Sequence, residues 1–383
     1  MISTVQLPAL GVPFRRGGPP ILPAWLLRDV APPEHTVLLA NAFDVGCPTV
    51  QEACTKGNFS LATFTAHQGY DVILGTLDLS IGNALSAPPR QEGVCGATEL
   101  GRKLITPADL AVAASALKVQ GVLPIAATFS VDESPAKRRK TAETRNATWF
   151  ADLVARSHGV SVASMSGGVP MTDFKGCATD ATPVLAADRS MVYAPNLFLG
   201  ESPADRSASL RLIKSNSGDK TALLVCGETL LDLLDIVDVW GPRVVFGTAW
   251  PWRLAAQGRA IVLPAWCFQS SHDGGADPAM ASCDSSASPS EPHSEVMMIN
   301  LRDPIHRLAA ARPLCPWCTC PCCRRHSRAY VHHLLTVQEM NSDILLVAHN
   351  LACLSHVLAL LGRAMDLPNT TERLRTAISF TAE

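Results

Sequence analysis

The sequence predicts an α/β fold built on a mainly parallel sheet, and three observations lead there. Short, almost uninterrupted apolar and β-branched runs recur along the chain, as strands covered on both faces require. Segments of helical period with recognisable caps lie between several of them. The composition supports a large core: 47% of the 383 residues are hydrophobic and only 17% are charged, well below the ~25% charged of an ordinary globular chain. A mainly disordered protein is thereby excluded. The formal net charge of -2 shows no bulk basicity, so any contact with nucleic acid must come from a local patch.

In chain order, the Pro- and Gly-rich first 35 residues read as a loose N-terminal segment. They lack a signal-peptide layout, because Arg15 and Arg16 follow a broken apolar stretch instead of preceding one. Strands are expected at Thr36–Asn41, Val160–Met165, Met191–Leu199, Ala222–Gly227, Arg243–Gly247, Ala260–Trp266 and Val296–Leu301. The clearest helix is Pro107–Gln120, with Thr106 as N-cap, Pro107 at N1, Asp109 at N3 and Gly121 just past its end. A second runs from Ala136 to His158. A third, Gly227–Val237, would carry Glu228, Asp232 and Asp235 on its polar side. Ser270–Glu295 is rich in Ser, Pro, Asp and Gly and reads as a disordered surface loop inserted between two strands. The run Ile344–Gly362 is apolar but contains His349, Asn350 and His356, which argues for a buried helix over a membrane span. No integral membrane segment is expected, and a soluble, intracellular protein is the default. At this length a (β/α)8 barrel competes with an open doubly wound sheet. No Gly-x-Gly-x-x-Gly follows a strand, which counts against a dinucleotide fold.

The thirteen cysteines are unevenly placed. Seven are scattered singly, as small buried hydrophobes in a reducing compartment would be. Cys315, Cys318, Cys320, Cys322 and Cys323 fall together, with Cys353 downstream, and a secreted disulfide scaffold would not gather most of its cysteines in one knot. Cys318-Thr-Cys320-Pro-Cys322-Cys323 offers three thiolates in a tight turn, and zinc takes four N or S ligands in a tetrahedron. The fourth must come from elsewhere. His349, in the later apolar helix, can reach back if the helices pack as a hairpin. Cys315 and Cys322 remain possible substitutes.

The Cys-x-Cys-x-x-Cys turn, the Ser327-Arg328-Ala329-Tyr330-Val331-His332-His333-Leu334 run and the His349-Asn350 pair together resemble the zinc subdomain of tRNA-guanine transglycosylases. Ile299-Asn300-Leu301-Arg302-Asp303 followed by Pro313-Leu314 resembles the stretch that leads into it. The close likeness covers roughly Val296 to Asn350, with weaker agreement back to about Leu110. It implies a (β/α)8 TIM-type barrel with a C-terminal zinc-binding subdomain, and Cys318, Cys320, Cys323 and His349 as ligands of one structural Zn²⁺. On this reading residues 1–35 precede a barrel body at 36–303, with the insertion at about 270–295, and residues 304–383 form the zinc subdomain and terminal helices.

Two departures from the family pattern set the expected role. Catalytic members carry a nucleophilic aspartate in a Phe-Asp-x-x-x-Pro setting. Here the stretch reads Phe246-Gly247-Thr248-Ala249-Trp250-Pro251, and glycine cannot form a glycosyl ester. The family's Asp-Ser-Gly-Gly-Phe-Gln segment is missing altogether. Asp273-Gly274-Gly275 falls in the polar loop, and Ser166-Gly167-Gly168 is explained by a plain strand-to-loop turn. No catalytic residue is therefore assigned. Asp235 and Asp238 would be the first places to look if the chain proved active. The joined Cys322-Cys323 resembles the eukaryotic accessory branch. That likeness implies a heterodimer with a catalytic queuine tRNA-ribosyltransferase subunit, acting on tRNA. The same likeness implies the cytoplasm, with peripheral attachment to the mitochondrial outer membrane and the nucleus left open. Lys137–Lys140 reads best as a solvated helix start. Arg324, Arg325 and Arg328 are expected to offset the negative thiolates and to contact tRNA phosphates. Tyr330, His332 and His333 are expected either at a subunit interface or in the helix-packing core.

Overall fold

A computed structural model describes residues 5–76, 89–98, 101–126, 136–157, 161–162, 164–165, 191–193, 203–216, 221–268 and 297–379. The chain divides into two compact units, Met1–Trp252 and Arg253–Glu383.

The first unit is built on strands β1 (Ala9–Phe14), β2 (Thr36–Asn41), β3 (Asp71–Gly75), β6 (Gly121–Val122), β7 (Ser161–Val162), β8 (Ser164–Met165), β9 (Met191–Tyr193), β10 (Ala222–Cys226) and β11 (Val244–Gly247), with a hairpin β4 (Val94–Thr98) and β5 (Gly101–Ile105) outside that sheet. All pairings in the main sheet are parallel, in the order β7-β6-β3-β2-β1-β11-β10-β9-β8. The two ends of that order are one stretch of chain. β7 pairs with β6, β8 pairs with β9, and only residue 163 separates them. The sheet therefore closes on itself, with each stave beside its neighbour in sequence and β11 returning to β1. This is the (β/α)8 barrel that the family resemblance implied, and the open doubly wound alternative falls away.

Helices follow the staves: α1 (Ala24–Val30); then α2 (Ala42–Val45), α3 (Pro48–Gly57) and α4 (Leu61–Phe64); α5 (Pro107–Leu117); α6 (Ala136–Arg156); α7 (Pro203–Asn216); α8 (Leu230–Trp240); and α9 (Trp250–Ala256), which crosses the boundary between the units. Residues 166–190 lie outside the described residues. Ala9, Val37, Leu39, Ile73, Leu123, Met191, Tyr193, Leu224 and Val245 meet in one buried cluster. Alternate residues of a strand share a face, so the barrel interior is a packed core instead of a pore. The intervening Leu10, Val12, Phe14 and Leu38 are also buried. That double burial explains the continuous apolar runs.

Local signals fix several ends. Thr106 and Asp109 form the expected capping box, and Lys118 closes α5 in the left-handed region at φ 50°. Helix α8 starts three residues later than expected. Thr229 is its N-cap, and Asp232 turns inward to accept hydrogen bonds from the backbone N–H groups of Glu228 and Thr229. Asp232 is thus a buried cap instead of a member of a polar face.

The loose segment expected at residues 1–35 needs correcting. β1 is buried along its whole length between β2 and β11, and α1 follows it. Its one glycine and one proline look like breakers in the sequence, but Gly11 is there because the staves leave no room. A Cβ at Gly11 would stand 2.8 Å from both the Gly247 Cα and the Leu39 Cδ1. The true turn follows the strand, where Arg16 and Gly17 take positive φ. Sequence reading also passed over β3, β6 and the β4–β5 hairpin.

The second unit pairs β12 (Arg259–Val262) antiparallel with β13 (Met297–Asn300). The strand expected across Ala260–Trp266 stops at Val262; Pro264, which has no N–H to donate, precedes a 3-10 turn at Ala265–Phe268. The insertion at 270–295 lies outside the described residues. Helices α10 (Pro321–Arg325), α11 (Arg328–Thr336), α12 (Asn341–Arg363) and α13 (Leu367–Ser379) complete the unit. α12 is long and apolar enough to cross a membrane, but 61% of its most apolar window is buried in the protein.

Replacing Gly11 by Ala should destabilise the protein by ~1–3 kcal/mol, the usual result of forcing a methyl group into a filled core. A urea-unfolding midpoint that stayed unchanged would show that the β1–β11 contact is looser than described.

Candidate metal centre

The cysteine knot is ordered by a helix start. Cys320 is the N-cap of α10, Pro321 sits at N1, and the Cys320 sulfur accepts from the Cys323 backbone N–H at 3.4 Å. N-cap and N3 side chains stand on the same side of a helix terminus. Cys320 and Cys323 therefore point together, while Cys322 between them turns into the core with no exposed surface. Cys318 enters from the preceding turn, where its N–H meets the Cys315 carbonyl at 3.3 Å.

The imidazole comes from α12, which packs against both α10 and β12. His349 Nδ1 lies 3.6 Å from the Cys320 sulfur and 3.3 Å from that of Cys323. The potential donor atoms of Cys318, Cys320, Cys323 and His349 all lie within 4.8 Å of one another. A tetrahedral zinc, with Zn–S ~2.3 Å and Zn–N ~2.0–2.1 Å, would hold sulfur and nitrogen ~3.6 Å apart. The residues present fit such an ion.

The other face of the ring fixes which nitrogen is available. His349 Nε2 donates to the Ile261 carbonyl at 2.7 Å, leaving the Nδ1 lone pair for the sulfur side. Beside it, Asn350 accepts from the Ile261 N–H at 2.9 Å and donates to the Arg259 carbonyl at 3.1 Å. Two consecutive side chains of α12 thus hold three backbone groups of β12. Both are fully buried.

Charge in the knot points the same way. Burial alone would lower the His349 pKa, but hydrogen bonds and negative charge from Cys318 and Cys320 overcome it and raise it to about 10. Cys318 is held well below the ordinary thiol range, first by its hydrogen bond with Cys320, while Cys323 is pushed up by Cys318. The cluster attracts positive charge.

The substitutes considered from the sequence stand outside the set. The Cys315 thiol donates to the Leu263 carbonyl at 3.6 Å and is raised by burial. Burial likewise raises Cys322 well above its usual range. Arg328 also departs from expectation. It is buried, and its guanidinium donates to the Pro313 and Leu314 carbonyls at 3.0 and 3.1 Å. It pins the backbone leading into the knot and is spent there. Arg324 and Arg325 are exposed. His332 is half-buried with Nδ1 2.8 Å from the Leu301 carbonyl, whereas Tyr330 and His333 are exposed and Tyr330 stacks on His326. One contributor was missed by sequence reading: Asn350, whose clamp on β12 was not foreseen.

The model of the queuine tRNA-ribosyltransferase family matches residues 90–372. This chain belongs to that family. Short stretches are similar to curated members. One is 50% identical over 54 residues to queuine tRNA-ribosyltransferase accessory subunit 2 of Danio rerio, 14% of this chain and 13% of that protein. Another is 62% identical over 39 residues to the protein of the same name in Xenopus tropicalis, 10% and 9% of the two chains. A third is 60% identical over 40 residues to queuine tRNA-ribosyltransferase of Jannaschia sp. (strain CCS1), 10% and 11%. The matched stretches thus span about a tenth of these relatives' length.

Within this family the end of β11 is the telling place. Gly247 is the last residue of the strand, at the C-terminal mouth where (β/α)8 barrels carry their chemistry. Its carbonyl accepts from Gly227, the next residue's N–H donates to Gly11, and Thr248 is buried with its hydroxyl accepting from the Trp250 N–H. No carboxylate occurs from Val244 to Pro251. Asp235 and Asp238 sit on α8, at its middle and near its end, not on a strand. Ser166-Gly167-Gly168 and Asp273-Gly274-Gly275 lie outside the described residues. So do the side chains of Lys137, Arg138 and Arg139; Lys140, in the first turns of α6, is exposed.

Cys320→Ser should abolish metal retention, because structural metal binding is coupled to folding. Cys322→Ser should keep it, and elemental analysis of the purified variants decides between the two cysteines. Asn350→Ala should cost ~1–3 kcal/mol for each β12 group left unpaired, read as a lower urea midpoint. An unaltered midpoint would mean water replaces the amide without penalty.

Proposed function

We propose that this chain is the non-catalytic accessory subunit of a heterodimeric queuine tRNA-ribosyltransferase. That enzyme exchanges guanine for queuine at the wobble position of tRNAs with G-U-N anticodons, those for Asp, Asn, His and Tyr. One observation carries the reading: a family barrel with its sulfur–imidazole centre intact has glycine where a nucleophile would stand at the end of β11. The names of the vertebrate relatives support it.

On this reading the ion is zinc, one per chain, held by Cys318, Cys320, Cys323 and His349. Zinc with four protein ligands supplies cross-linking and leaves no open position for activating water. The chain's own residues do the rest. The knot and the His349–Asn350 clamp hold β12 and α10–α12 as one surface. Tyr330 and His333 on α11 offer exposed anchors to the catalytic subunit. Arg324 and Arg325, beside the knot, offer charge to tRNA phosphates. The catalytic partner supplies the nucleophile and the base pocket. The cytoplasm is the proposed compartment.

The chain alone should exchange no base into G-U-N tRNA and form no covalent adduct with it, while the mixture with a catalytic family member should do both. Gly247→Asp should not rescue the lone chain, since catalytic groups that act as a unit return little singly. Tyr330→Ala or His333→Ala should weaken assembly by ~1–3 kcal/mol while leaving this chain folded. Turnover by the isolated chain at the rate of the mixture would overturn the reading. Failure of both to bind such tRNAs would leave a scaffold without base exchange.

A further inference from the structure

Among the described residues of the first unit, one imidazole is buried and has no part in the proposed activity. His67 lies in the loop between α4 and β3 and is only 4% exposed. Its ring packs edge-on against Phe14, at the end of β1, and against Tyr70, with centroids 5.3 and 6.3 Å away. Nδ1 is 3.3 Å from the Thr65 hydroxyl, but Nε2 is buried without a hydrogen-bond partner. A neutral ring tolerates a bare acceptor there. An imidazolium would bury a charge and an unpaired N–H together, which is costly unless a partner is supplied. None is at hand. Arg15, at the turn after β1, pairs with Asp44 at 3.3 Å, and Arg16 is exposed. Arg28, Asp29 and Glu34 bear on Tyr70, whose phenol burial keeps neutral. Asp71 shares the barrel-facing side of β3 with Ile73. Burial accordingly lowers the His67 pKa, and Thr65 opposes this in part. The loop that the ring holds is strained: Ala66 has φ 61°, in the left-handed region, and Gly69 has φ 94°. The Arg28 guanidinium donates to the Gln68 carbonyl at 2.5 Å, and the Tyr70 hydroxyl to the Ala31 carbonyl at 2.9 Å, tying the loop to α1 and its end.

We propose that His67 makes the α4–β3 loop a proton-operated latch, closed on β1 while the imidazole is neutral and released when the ring binds a proton. Burial sets the order of events. The loop opens first, the exposed ring takes a proton from water at Nε2, and the charged ring has no paired place to return to. The closed state holds the ring neutral, so closure is fully favoured above the ordinary histidine value of about 6.5 and is lost as pH falls below it. Opening breaks the ties from Gln68 to Arg28 and from Tyr70 to Ala31. It also uncovers Phe14 and the Arg15–Gly18 turn at the C-terminal end of β1, where Gly18 lies beneath the ring: a Cβ there would stand 3.5 Å from His67 Cε1. The latch does not depend on the accessory-subunit reading.

Hydrogen exchange of the full chain, read by mass spectrometry from about pH 7.5 to about 5.5 and corrected for the intrinsic pH dependence of exchange, tests the latch. The amides to follow are those of His67 and Tyr70, which bond to the Ala62 and His67 carbonyls. In wild type their opening constant should rise toward about tenfold per pH unit below about 6.5, as uptake of one proton requires, while the β2 amides keep their protection. His67→Phe keeps a buried ring without the proton site and should lose that slope. His67→Gln, polar but uncharged, should lose it too, and decides the matter if the phenylalanine variant does not fold. An equal slope in wild type and a folded variant, no slope in wild type, or a slope shared by β2 would each overturn the proposal.

Discussion

The second unit depends on what the carbonyl and amide of Ile261 do. Both groups belong to a two-stranded ribbon, β12–β13, which is too small to be stable alone. Its outer backbone groups would be unpaired inside the protein without α12. His349 and Asn350 supply the missing partners from consecutive positions, and the same ring turns its second nitrogen to the cysteine knot. Backbone pairing and donor geometry are therefore one arrangement. Tilting the ring to suit a different ligand would break the bond to β12, so the ribbon enforces the tautomer that an ion needs.

In the first unit the comparable constraint is steric. Closing a parallel barrel brings β1 against β11, and the contact between Gly11 and Gly247 is too close for a side chain on Gly11. Around that seam the interior is filled by alternate apolar residues from almost every stave.

How legible this was depended on how local each determinant is. Thr106 and Asp109 announce α5 because a capping box is complete within four residues. The strands Thr36–Asn41 and Val244–Gly247 are readable because burial on both faces makes them continuously apolar. β1 was not readable: Gly11 answers to Gly247, more than two hundred residues away, and from sequence it looks like a breaker. The sulfur count signalled a metal, but spacing could not separate Cys322 from Cys323. Only the N-cap geometry of α10, which sends one sulfur outward and the other into the core, made that distinction. Arg328 looked like a surface charge because its two carbonyl partners are invisible in composition. The barrel itself came from family resemblance, since local patterns left an open sheet equally possible.

The clamp on β12 also says something about the order in which the chain can be finished. Ile261 is synthesised 88 residues before the imidazole that engages its carbonyl. The three cysteines of the knot emerge in between, so a nascent chain displays its sulfurs before it possesses the fourth donor. Contacts of such long sequence separation form late, after loop closure has been achieved. Formation of the complete donor set is thus coupled to the arrival of α12, which also brings β12 its side-chain partners.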